Sequence, residues 1–175
     1  MALTLHNATI PAWLQVIAAT RTLVDKAEEW CTANGEAEDA ILEASLAEGM
    51  WSFNWQINSV WMHSAHAVAA TESGTFEPNF TDIPASFDAC RAKLDTARDA
   101  LLAIDANALE SRADSNLDFV LGGTVRMSFT AQNFLLSFSN PNFFFHATTA
   151  YDILRMKGLE IGKRDYLGAP ATKPS

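Results

Sequence analysis

Apolar residues recur every three or four positions along four long stretches of this chain, and that period commits the stretches to amphipathic helices sharing one core. The first carries Ile10, Trp13, Ile17, Thr20, Val24, Ala27 and Cys31. Thr9 is its expected N-cap, Pro11 sits in its first turn, and Asn34-Gly35 closes it. The second runs from about Met50 to Thr71 with Phe53, Ile57, Val60, Ser64, Ala67 and Val68 inward. The third spans about Pro84 to Ile104, its stripe made of Phe87, Cys90, Leu94, Ala97, Leu101 and Ile104. The fourth reaches from Thr130 to Lys157, with Ala131, Leu135, Phe138, Phe145, Thr149, Ile153 and Met156 on one face. Pro141 is expected to bend it, and Gly158 to cap it.

Between these helices the pattern is weaker. A short helix is expected over Glu38 to Ala47, a loop over Glu72 to Ile83, and irregular chain from Asp105 to Asn116. The period then changes to two: residues 117–120 and 125–129 flank Leu121-Gly122-Gly123-Thr124, which predicts a β-hairpin with a Gly-Gly turn. The expected fold is all-α: a four-helix bundle with one extra short helix and a small β-hairpin before the last helix. Residues 1–158 are expected to form the bundle domain and residues 159–175 a C-terminal tail.

Composition sets the function classes. Of the 175 residues 49% are apolar, enough for a core, and 12 Lys and Arg stand against 21 Asp and Glu, a net charge of −9. That balance argues against binding nucleic acid, where cations neutralise phosphates, and against an anionic membrane surface. No apolar run is long enough for a membrane span, and the first residues lack a secretory pattern. Cys31 and Cys90 fall on apolar helix faces and read as buried thiols of a reducing compartment, so a cytoplasmic location is expected.

No phosphate-binding glycine loop, His-Glu-x-x-His helix, Cys-x-x-Cys pair or nucleophile elbow is present. The chemistry rests on four histidines: His6, His63, His66 and His146. On a helical wheel His146 projects close to the inward direction of the last helix, with Asn142 four residues before it and Thr149 three after. His63 lies at the edge of the second helix's apolar face, with Gln56 two turns earlier on the same side. His66 points further round, toward the exterior. Singly, each reads as a hydrogen-bonded core residue. Together, His63 and His146 sit mid-helix and can meet across the bundle, where imidazoles are competent ligands for zinc, nickel or iron.

The run Asn140-Pro141-Asn142-Phe143-Phe144-Phe145-His146, the Gln56 to His63 helix and the tail Gly162-Lys163-Arg164-Asp165 resemble an uncharacterised family of bacterial and fungal proteins in the DinB-like superfamily. The resemblance implies a four-helix bundle, commonly dimeric, with a pocket at one end. It also implies a three-histidine divalent-metal site, one ligand from the second helix and two spaced by four on the last. His63 and His146 match two of those positions, whereas Asn142 and Ala150 stand where the third would fall.

Two functions follow as expectations. One is a small-molecule binder whose pocket is lined by His63, His146, Asn142, Gln56 and Thr149, its metal site degenerate or absent. The other is a divalent-metal-dependent hydrolase or thiol transferase, with His63 and His146 as ligands and Asn142, Gln56 or His6 completing the shell. The incomplete histidine set ranks the binder first. A homodimer is also expected, because Trp51, Trp55, Trp61 and Phe144 do not all fit on inward faces.

Overall fold

The computed structural model describes residues 3–172, so Met1, Ala2 and Lys173 to Ser175, at the outer ends of the expected domain and tail, lie outside the described residues. Helix α1 (Leu5–Asn34) begins four residues before the expected Thr9 cap, because Thr4 accepts from the Asn7 amide at 3.2 Å and Glu110 accepts from the Leu5 amide at 2.7 Å. Two of the amides that a helix start leaves without partners are thereby satisfied, one of them by a side chain 105 residues away. Pro11 consequently lies inside the helix. Gly35, at φ 67°, closes it as expected.

The short helix α2 (Asp39–Leu42) precedes α3 (Phe53–Trp61), which continues through a π-helical turn (Met62–His66) into α4 (Ala67–Ser73). Helix α5 (Phe87–Leu102) starts at a Ser86 cap, and Glu38 accepts from its Phe87 amide at 2.8 Å. Residues expected to be irregular contain α6 (Ala106–Ser111). The last long helix runs from α7 (Ala131–Asn133) through a second π-helical turn (Phe134–Ser139) into α8 (Asn140–Met156). Pro141 sits just after that turn, where widened winding accommodates a residue lacking an amide proton.

Helix α1 packs on α5 and α8, and α3 packs on the same two, giving a four-membered bundle. Its core contains Trp13, Phe53, Phe87 and Phe143, all wholly buried, with Trp13 Nε1 donating to Asn140 Oδ1 at 2.9 Å. Each such side chain contributes roughly 2–3 kcal/mol by leaving water. Cys31 and Cys90 are buried free thiols, and burial pushes the Cys90 thiol up to about 12.

The hairpin forms as expected: β2 (Asn116–Leu121) and β3 (Thr124–Thr130) pair antiparallel around Gly122 and Gly123, whose φ values of 59° and 71° are those a two-residue turn demands. The loop expected after α4 instead donates a strand, β1 (Thr75–Phe76), parallel to β2, so the sheet has three strands in the order β1-β2-β3. In the segment read as a tail, Leu159 and Ile161 are buried, and α9 (Lys163–Leu167) lies against α1 with Lys26 Nζ 2.6 Å from Asp165.

One predicted face is partly out of phase. Ala131, Leu135, Thr149 and Ile153 are buried as expected, but Phe145 and Met156, expected inward, are 56% and 51% exposed, whereas Phe143, Ala147 and Leu154 are buried. A π-helical turn holds more residues than an α-turn, so a wheel carried at a constant 100° per residue through Phe134–Ser139 loses its register.

Candidate functional site

Both π-helical turns face the same cavity. The first carries His63 and the second carries Phe138, and the two side chains line a hollow of about 310 Å³ with Trp51, Phe80, Asn142 and His146 among its walls. This is at the small end of ligand-binding cavities. The sheet closes one side through Phe119, and the loop after β1 supplies Pro78 and Phe80. That loop is pinned from beneath: Lys93 Nζ donates to Asn58 Oδ1 at 3.0 Å and to Asp82 Oδ2 at 2.7 Å, and Asn58 Nδ2 donates to the Asn79 carbonyl at 2.9 Å.

The two histidines do meet across the bundle. Their ring centroids are 5.7 Å apart and their planes within 8° of parallel. Trp51 lies beyond His146 at 5.7 Å and 14°, and Phe76 beyond His63 at 5.8 Å and 28°, so four flat rings follow one another in a tier.

Hydrogen bonds fix the roles of the nitrogens. Gln56 Nε2 donates to the Trp51 carbonyl at 2.9 Å, which orients the amide and turns Oε1 toward His146. Gln56 Oε1 can only accept, so His146 Nδ1, 2.6 Å away, carries the ring proton. In the neutral ring Nε2 then holds a lone pair, and among the described residues no group bonds it. His63 Nδ1 is buried without a partner. Burial, then His146 and His66, drives the His63 pKa down to about 3, and burial alone drives that of His146 to about 4. Both imidazoles are neutral at pH 7.

The other expected site residues divide. Asn142 lines the cavity, with its Nδ2 donating to the Phe138 carbonyl at 2.7 Å. Gln56 stands behind His146, on a neighbouring hollow of about 230 Å³. Thr149 is buried but bonds the Phe145 carbonyl of its own helix at 2.8 Å and does not line the cavity. His6, in the first turn of α1, is likewise absent from the cavity wall. His66 is turned away, as expected, onto Trp61 and the Glu77 carbonyl.

Sequence reasoning did not find Trp51, Phe80 or Phe119. Trp51, expected within the second helix and read as a dimer-contact residue, precedes α3 and lines the cavity, and Phe80 lies in the segment expected as a loop, where no period places a side chain.

As a metal centre the donor set falls short. Among the described residues no group of three or more His, Cys, Asp and Glu side chains is placed to hold a metal ion, whereas a catalytic zinc takes three protein ligands. The residues present do not fit that three-ligand centre.

Comparison with known proteins gives family and fold. The family described as Domain of unknown function (DUF1993) matches residues 5–167. The crystal structure of a DinB family member protein from Shewanella denitrificans is 25% identical, with a TM-score of 0.81 over 98% of this chain and 96% of that one. No curated protein matches. The bundle is therefore DinB-like, as the sequence resemblance implied. No helix among the described residues is long and apolar enough to cross a membrane.

Proposed function

The chain belongs to the DUF1993 family, and on that footing we propose that it binds an uncharged small molecule in the cavity that His63 and His146 line. One observation carries the reading: the Trp51 carbonyl, Gln56 and His146 form a hydrogen-bonded relay that holds an imidazole lone pair beside an aromatic cavity. Such preorganisation lowers the ordering cost of binding. Asn142 and the His63 ring add polar groups to an otherwise apolar wall, the usual make-up of a ligand pocket.

A thermal-shift screen of uncharged aromatic fragments tests the proposal. Binders are expected to raise Tm for the parent protein and not for His146→Ala. A screen without binders, or shifts that survive the substitution, contradicts it. The alternative, a divalent-metal-dependent hydrolase or thiol transferase at His63 and His146, requires a third ligand from another source. Stoichiometric metal in chelator-free protein, lost in a His63→Ala/His146→Ala variant, would favour it.

The proposal includes a homodimer and a cytoplasmic location. Exposed Val125, Met127, Leu136 and Phe145 support the first, and the two buried free thiols support the second. A sedimentation mass near 19 kDa at micromolar concentration would contradict the dimer.

A further inference from the structure

Resting on that binding reading, we infer that the ligand is a flat, uncharged molecule carrying a hydrogen-bond donor and an acceptor on one edge, the chemistry of a primary carboxamide or a lactam. Charge is settled by the wall. Among the described residues no Lys, Arg, Asp or Glu lines the cavity, so an ionised ligand would enter without a counter-ion and lose its hydration.

The donor and acceptor come from the two imidazoles. His146 offers an acceptor, because Gln56 holds its proton on Nδ1 and leaves the lone pair on Nε2. His63 offers the complement. Its Nδ1 is buried with no partner, and a proton there would be an orphaned donor, a rarer and costlier arrangement than a bare lone pair. The proton of the neutral ring therefore resides on Nε2, which bonds no group among the described residues, on a ring that lines the cavity. One ring donates, the other accepts, and a carboxamide answers both with its oxygen and its N–H. Flatness follows from the surroundings, where Trp51, Phe80, Phe119 and Phe138 make the lining largely aromatic.

Titration of the full chain at pH 7 with benzamide, N,N-dimethylbenzamide, benzoate and toluene tests this, read from the imidazole nitrogen resonances and the Trp51 indole signal. Benzamide is expected to bind about tenfold more tightly than N,N-dimethylbenzamide, which keeps the acceptor but has lost the donor, the value of one good hydrogen bond. Benzoate is expected to leave the resonances unmoved. If N,N-dimethylbenzamide or toluene binds as tightly as benzamide, the donor–acceptor inference fails while the binding reading survives; if benzoate binds best, the uncharged-ligand reading fails with it. If none of the four perturbs either histidine, both fail.

Discussion

His63 and His146 come from different helices and face one another as parallel imidazoles, their ring centroids 5.7 Å apart and their planes within 8°. Neither ring has an acidic partner among the described residues. Among the described residues the one side chain hydrogen-bonded to the pair is Gln56, on His146. Two neutral imidazoles in an aromatic cavity are suited to directing hydrogen bonds rather than to balancing charge.

Acid is expected to unfold this protein through the pair. Both pKa values lie below the ordinary 6.5, at about 3 and about 4, so between pH 6.5 and 4 the unfolded chain binds more protons than the native one. Stability present above pH 6.5 is therefore lost as pH falls, by roughly 1.4 kcal/mol per pH unit for each histidine. Urea unfolding from pH 7.5 to 4.5 measures the slope, and His63→Phe should flatten it; equal slopes in parent and variant would contradict the assignment.

Gln56→Leu removes the acceptor from His146 Nδ1. The buried N–H left behind should cost about 1–3 kcal/mol of stability. The more telling change is in the imidazole, whose proton is no longer confined to one nitrogen. Gln56→Glu keeps an acceptor there and should retain the tautomer while raising the His146 pKa, because a nearby carboxylate favours the charged ring. An unchanged His146 titration in Gln56→Glu would count against the contact.

The loop over the cavity should depend on Lys93, whose side chain is 11% exposed and binds both Asn58 and Asp82. Lys93→Met is expected to cost about 1–2 kcal/mol, the exposed Asp82 end being screened by water. Amide exchange should accelerate at Asn79 to Asp82 more than in α5. Uniform acceleration would mean the clamp serves the bundle and not the loop.

Gly123 sits at φ 71° in the hairpin turn, with nothing within 4 Å of where a Cβ would go. Gly123→Ala should cost about 1 kcal/mol through backbone strain alone. A calorimetric Tm identical to that of the parent would show that the turn relaxes.

Much of this was legible in the residues because their period was regular. The α1 and α5 stripes and the Gly122-Gly123 turn follow from constant rotation along a helix or alternation along a strand, and the meeting of His63 with His146 follows from their positions near the middle of facing helices. The misreadings occur where that constancy breaks. Phe145 turned outward because a π-helical turn intervenes, and Thr149 bonds its own helix where the wheel suggested the pocket. The start of α1 depends on Glu110, and the position of Trp51 on its stacking with His146; both are tertiary contacts with no local signature.

Long-range proton–nitrogen correlation of the histidine side chains at pH 7 reads the protons on the two cavity imidazoles. Both rings are expected to be uncharged, His146 protonated on Nδ1 and His63 on Nε2. An imidazolium at either position, or a His146 proton on Nε2, would contradict it.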